Sequence, residues 1–269
     1  MSKRIKKLLA TAAITTIASF TNIANATIVQ IQTSYGNIEV NLFDTTTPIT
    51  VANFLSYIED NAYDNSIIHR SIRRFVTQGG GFYFNEENVL TEISEKPSII
   101  NEPIYSSLRG TIAMAKISGN PDSATSQWFI NLEDNGIFLD NQNGGFTVFG
   151  QVTEAGMAVI DTIAAISTTD KGGAFGDIPL EDISAAMTQD NTVVIDTITV
   201  TDTTIESAAA LEPALNTVTS SANNPDSDSD SNPDTSPNNS SSSSAGSLGF
   251  LLTTLLASLG LIRRKKTNR

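Results

Sequence analysis

Cysteine is absent from this chain, and histidine occurs once, as His69. The first absence excludes a disulfide framework and a lipid anchor on cysteine, so stability must come from a packed core. The second leaves any histidine-based metal site or Ser-His-Asp triad resting on one residue, set in an apolar stretch without a sequence partner. A packed, hydrogen-bonded histidine fits that setting better. Basic residues are the third shortage: between residues 27 and 262, seven Lys and Arg stand against twenty-nine Asp and Glu, in a chain of net charge −13. So few cations cannot neutralise a phosphate backbone, which excludes nucleic acid as a partner.

What is present divides the 269 residues by composition. Residues 1–26 carry Lys3, Arg4, Lys6 and Lys7, an apolar stretch from Leu8 to Phe20 and the small-x-small sequence Ala24-Asn25-Ala26. This is the anatomy of a secretory signal peptide. Residues 27–205 have the patterning of a folded domain. Residues 206–247 turn to Ser, Asn, Asp, Pro and Thr, a composition that buries too little apolar surface to order itself, and are expected to form a disordered linker. Residues 248–262 form an apolar run and 263–269 a basic tail opening with Arg263-Arg264-Lys265-Lys266.

Within the folded stretch, alternation through Ile28, Val29, Ile31, a turn at Ser34 to Asn37, and Ile38, Val40, Leu42 predicts a β-hairpin. Thr47-Pro48 predicts a helix start with Thr47 as N-cap, and Val51, Phe54, Leu55 and Ile58 give the helix one apolar face. Strand-like segments follow at 66–69, 75–78, 111–115, 128–132 and 147–151. A second helix carries Met157, Ile160, Ile163 and Ala164, and a last strand runs over 193–200. Many short strands with only two helices point to a mainly β fold, a closed antiparallel barrel.

Three separated motifs carry more. The first is Ile68-His69-Arg70-Ser71-Ile72-Arg73-Arg74-Phe75-Val76-Thr77-Gln78-Gly79-Gly80-Gly81. The second runs from Arg109 to Ala115 and on through Ser123-Ala124-Thr125-Ser126-Gln127-Trp128-Phe129-Ile130-Asn131, and the third joins Phe138-Leu139-Asp140 to Phe146-Thr147-Val148-Phe149-Gly150. In this order they resemble the cyclophilin family of peptidyl-prolyl cis/trans isomerases, closest in pattern to its bacterial exported branch. The resemblance implies an eight-stranded barrel capped by two α-helices, with a shallow proline groove on its outside. It implies that Arg70 is catalytic and that Gln78 holds the substrate backbone. Phe75, Val76, Phe129 and Leu139 would wall the proline pocket, Ala115 and Gln127 would line the groove, and Phe138 and Phe146, where many eukaryotic members have tryptophan and histidine, would also bind substrate. Arg73-Arg74 stand where many relatives have Pro-Gly, and Trp128 stands where phenylalanine is common.

Physical chemistry supports the same residues without the resemblance. Resonance in the C–N bond raises a rotation barrier of about 18–20 kcal/mol. In the twisted transition state the prolyl nitrogen regains a localised lone pair, and a guanidinium can donate to it more strongly than to the planar ground state. Only such differential stabilisation speeds the step. No cofactor, metal or nucleophile is called for. The expected partners are proline-containing exported polypeptides, met by a monomeric catalytic domain in the periplasm or cell envelope. A binding or chaperone module using the same groove stays open as a second function class. The C-terminus adds membrane contact: fifteen helical residues rise about 22 Å, short of a hydrocarbon core of about 30 Å. Together with Ala245-Gly246-Ser247 and the basic cluster, this resembles a cleaved C-terminal sorting signal of Gram-negative bacteria; a permanent anchor is the other reading.

Overall fold

A computed structural model describes residues 27–202, 211 and 213–218. The expected signal peptide, the apolar run 248–262, the basic tail and most of the expected linker lie outside the described residues. Strands β1 (Ile28–Thr33) and β2 (Gly36–Leu42) form the anticipated hairpin. Val29, Ile31, Ile38, Val40 and Leu42 point inward and are fully enclosed, while the residues between them face outward, as a period of two requires. Helix α1 (Pro48–Glu59) buries Thr50, Val51, Phe54 and Tyr57.

The start of α1 departs from expectation. Thr47 makes no side-chain cap; its hydroxyl donates to the Phe43 carbonyl at 3.2 Å. The carboxylate of Glu102, distant in sequence, accepts instead from the amides of Ile49 at 3.3 Å and Thr50 at 2.9 Å. A negative charge there satisfies orphan donors and meets the positive end of the helix dipole.

The chain continues through β3 (Ser66–Ile67), β4 (Arg70–Ile72), β5 (Val76–Gly79), β6 (Phe82–Phe84), β7 (Leu90–Glu92), β8 (Thr111–Met114) and β9 (Trp128–Asn131). A single-turn helix α2 (Gly136–Leu139) precedes β10 (Val148–Val152) and helix α3 (Glu154–Ala164), whose N-cap Thr153 accepts from Gly156 at 3.2 Å. The short pair β11 (Thr168–Thr169) and β12 (Ile178–Pro179) and the long β13 (Val194–Asp202) complete it. Among the described residues eleven strands bond in the order β4-β5-β9-β8-β10-β2-β1-β13-β3-β6-β7, all antiparallel, in one curled sheet. The mainly β fold therefore holds, but the ladder has eleven strands where eight were expected. The run 66–72 is interrupted at Ile68 and His69, so it contributes both β3 and β4, and residues 82–92 add the edge pair β6 and β7.

The strands β8, β9 and β10 divide their side chains between two apolar clusters. Ile112, Met114, Trp128, Ile130 and Phe149 enter the main core with Phe54, Tyr57 and Tyr63. The ring of Phe54 lies 5.1 Å from Phe149 and 5.4 Å from Tyr63. Ala113, Ala115, Phe129 and Val148 join Phe43, Val76, Leu139 and Phe146 in a second cluster on the outer face. Part of the stretch expected to be linker also packs here: Leu211 lies against the outer cluster, and Leu215 bridges to Tyr105.

Candidate active site

Strand register builds the site. Arg70 on β4 is directly opposite Gln78 on β5, Gln78 is opposite Phe129 on β9, Phe129 is opposite Ala113 on β8, and Ala113 is opposite Val148 on β10. Directly opposed residues have Cβ atoms about 4.5–5.5 Å apart on the same face. One row across five strands thus sets a cation, an amide, an aromatic ring and two smaller apolar residues side by side.

The two polar members are unusually bare. Arg70 is 6 % exposed, yet among the described residues its Nη1 has no hydrogen-bond partner, and the Oε1 of Gln78 also has none. A buried polar group left unpaired costs on the order of 1–3 kcal/mol, so orphans of this kind suit groups that meet a ligand. Gln78 is oriented by its Nε2, which donates to Oε1 of Gln127 at 2.9 Å. Arg70 is oriented by Asp177: Nε lies 3.5 Å from Oδ2, and the carbonyl of Asp177 accepts from the amide of Ser71 at 2.8 Å. Burial lowers the Arg70 pKa from the usual arginine value, and the Asp177 carboxylate works against that shift.

The apolar side of the site is a closed cup: its residues pack against one another, and none of Phe75, Val76, Phe129, Leu139 and Phe146 lines the open groove described below. Val76, Phe129, Leu139 and Phe146 are buried in the outer cluster, and Phe75 is half-buried against it. The rings of Phe129 and Phe146 meet edge to face, 5.5 Å apart. Polar side chains hold the cup's walls. The carbonyl of Phe75 accepts from Leu132 N and from Asn135 Nδ2, both at 2.8 Å, and Asn135 also donates to Asn131 Oδ1 at 2.9 Å. Lys116, 1 % exposed, donates to the carbonyls of Asn143 and Gly145 and places its ammonium 4.9 Å from the Phe146 ring centroid. Desolvation lowers its pKa from 10.5 to about 8.

Arg70, Gln78, Ala115 and Gln127 line one open groove of about 720 Å³, together with His69, Lys116 and Gly81. Phe138 does not join the other candidates: it is 59 % exposed on α2 and lies outside the outer cluster. Within a single turn of helix, Leu139 takes the inward direction and Phe138 the outward one. His69 is packed as expected, its ring 5.2 Å from Phe82, and among the described residues its Nδ1 has no hydrogen-bond partner. Burial and the neighbouring Arg70 lower its pKa to about 3, so the imidazole is neutral in ordinary conditions. The turn before Phe75 explains the Pro-Gly departure: Arg74 adopts φ 58°, a left-handed conformation that glycine takes without strain. Gly81 has a different reason, since a Cβ there would lie 3.0 Å from the Gln127 side chain and 3.2 Å from His69.

Sequence reasoning missed Asp177, Lys116, Asn131 and Asn135. Asp177 is one acid among twenty-nine, in a loop with no regular pattern. Lys116 was more accessible, being one of only seven cations in the central region and adjacent to the groove residue Ala115. Among the described residues, no three His, Asp or Glu side chains are grouped to hold a metal ion.

Comparisons with known proteins converge on one family. The family model described as cyclophilin type peptidyl-prolyl cis-trans isomerase matches residues 28–190. A peptidyl-prolyl cis-trans isomerase of Acinetobacter baylyi is 43 % identical over 147 residues, covering 54 % of this chain and 76 % of the relative. Peptidyl-prolyl cis-trans isomerase B of Escherichia coli is 38 % identical over 161 residues, covering 58 % of this chain and 94 % of the relative. Among solved structures, the chain is similar to a Cryptosporidium parvum cyclophilin type isomerase crystallised with the dipeptide Ala-Pro. The TM-score is 0.50 at 22 % identity, over 65 % of this chain and 99 % of that one, a likeness of fold alone.

Proposed function

This chain belongs to the cyclophilin type peptidyl-prolyl cis-trans isomerase family, and we propose that it turns over X-Pro bonds at the groove holding Arg70. The observation that carries the reading is the unpaired, buried Nη1 of Arg70 in register with Gln78 and Phe129. A prolyl ring seated in the cup of Phe75, Val76, Phe129, Leu139 and Phe146 fixes one side of the bond. Gln78 Oε1 accepts a backbone N–H of the substrate. Asp177 engages Nε of Arg70, leaving Nη1 to donate to the prolyl nitrogen as its lone pair localises. Proton transfer and covalent intermediates play no part.

Such an enzyme serves chains whose folding waits on proline, since uncatalysed isomerisation takes about 10–100 s. The signal-type residues 1–26 support action on exported proteins in the periplasm or envelope. The run 248–262 with its basic tail supports membrane attachment, transient or permanent. Among the described residues no helix is long and apolar enough to cross a membrane, so that attachment rests on the sequence outside them. The run 66–72, which feeds both β3 and β4, supports closure of the curled sheet into the eight-stranded barrel.

Proline-limited refolding, with and without the protein, tests the proposal. Arg70→Ala and Arg70→Lys should each lower kcat/KM by at least about a hundred-fold, the scale of removing one transition-state donor, with unchanged circular dichroism. Lysine keeps the charge and loses the planar fork. Wild-type turnover in Arg70→Ala would sink the mechanism and leave a proline-binding module as the reading of the groove.

A further inference from the structure

The outer cluster is closed by a piece of chain beyond the residues that match the family. Leu211 packs against the cluster that contains Phe129, Leu139 and Phe146. After it, the amide of Ser106 donates to the carbonyl of Ala214 at 2.8 Å, and the amide of Asn216 donates to the carbonyl of Ile104 at 2.8 Å. These bonds flank the bridge between Tyr105 and Leu215, so the segment lies antiparallel along residues 104–106. Leu215 is 60 % exposed, whereas Asn216 is 0 % exposed, although polar. A fully buried amide needs partners.

Its partners lie in the loop that carries the cup. Nδ2 of Asn216 donates to the carbonyl of Asp140 at 3.1 Å, and its Oδ1 accepts from the amide of Val218 at 3.0 Å, closing a local turn. Asp140 follows Leu139 directly, and its own carboxylate accepts from the Ser106 hydroxyl and from Ser107 N at 2.9 Å. The fit extends to Gly145, next to Phe146: a Cβ there would lie 3.0 Å from Asn216 Nδ2. Asn216 therefore sits between the two ends of the loop whose flanking residues, Leu139 and Phe146, form two walls of the cup.

We propose that residues 211 and 213–218 act as a strap that positions the proline cup, with Asn216 as the positioning residue through Asp140 and the 140–146 loop. The strap's contacts described above are with the outer cluster, residues 104–106 and the 140–146 loop, so it governs how well the ring is seated and leaves the transition-state donor in place. Its consequence is that the catalytic unit extends to Val218.

The proposal rests on the isomerase reading, and its test uses the full-length chain with two readouts. Asn216→Ala removes the side chain; Asn216→Asp keeps its shape and replaces the Nδ2 donor by an acceptor facing the Asp140 carbonyl. Both should raise KM for an X-Pro peptide about five-fold, as expected for one lost hydrogen bond, with kcat within about two-fold of wild type. Hydrogen exchange at the amides of residues 139–146 should quicken in both, while that of β1 and β13 stays as in wild type. Unchanged KM and unchanged exchange would overturn the strap. So would equal acceleration of exchange throughout the sheet, which would mark Asn216 as a general stabiliser. If the wild-type chain showed no turnover, the isomerase reading would fail, and the exchange comparison alone would decide whether the strap holds the loop.

Discussion

The two faces of β8, β9 and β10 share one backbone and are built by different means. Inward, Ile112, Met114, Trp128, Ile130 and Phe149 meet one another and the rings of α1, and alternation alone brings them there. Outward, Ala113, Phe129 and Val148 would lie open to water without the cover of residues 101–108, α2, the 140–146 loop and the strap. That cover is held mainly by polar side chains: Asn135 on Phe75, Asp140 on Ser106 and Ser107, Lys116 on Gly145, and Asn216 on Asp140. The inner face is thus a product of period-two patterning and area burial. The outer face is a product of long-range hydrogen bonds, and it carries the unpaired Arg70 Nη1 and Gln78 Oε1.

The sharpest way to break this comparison is to cut adjacent residues of β9. Ile130→Ala should cost about 2–5 kcal/mol in denaturant unfolding while turnover per folded molecule stays near wild type. Phe129→Leu should show the reverse, losing about ten-fold in kcat/KM with a much smaller stability change. If both variants lost stability and activity in the same proportion, the two faces would not be separable.

A smaller effect is expected at the residue that orients the catalytic cation. Asp177→Asn keeps the backbone bond to Ser71 and removes the charge facing Arg70 Nε. It should lower kcat by about ten-fold through misplacement of the guanidinium, with KM little changed. A KM effect alone would mean that Asp177 contacts substrate and does not position Arg70.

Two pH responses separate groups that flank the groove. His69 is lowered from 6.5 to about 3 in the folded chain, so between those values the unfolded state binds the extra proton. Stability contributed by the neutral imidazole is therefore present above 6.5 and lost as pH falls toward 3. The acid limb of thermal unfolding should be shallower in His69→Phe, with turnover flat between about pH 6 and 8. Lys116, lowered from 10.5 to about 8, works at the alkaline end. Between those values the unfolded state again holds the extra proton, so stability should rise modestly with pH in wild type. That rise should be missing in Lys116→Met, measured as Tm across the same window.

Local patterning decides a good deal of this protein. The hairpin of β1 and β2, the buried faces of α1 and α3, the inward set of each strand and the segment bearing Arg70, Phe75 and Gln78 follow from spacing and motif order. Each depends on neighbours within a few residues or on a period of two or 3.6. Other features depend on the folded chain, because their partners are far apart in sequence. Glu102 caps α1 from 52 residues away, Asp177 pairs with Arg70 from the turn before β12, and Lys116 reaches Phe146 from the loop after β8. The single turn of α2 buries Leu139 and exposes Phe138, a choice that no short-range pattern encodes. Asn216 belongs to a stretch whose composition predicts disorder, and it is ordered because a buried amide there meets the carbonyl of Asp140 and the loop beneath the cup. Composition averages over a stretch, whereas a hydrogen bond in a closed site depends on one atom and its partner, which only tertiary packing brings together.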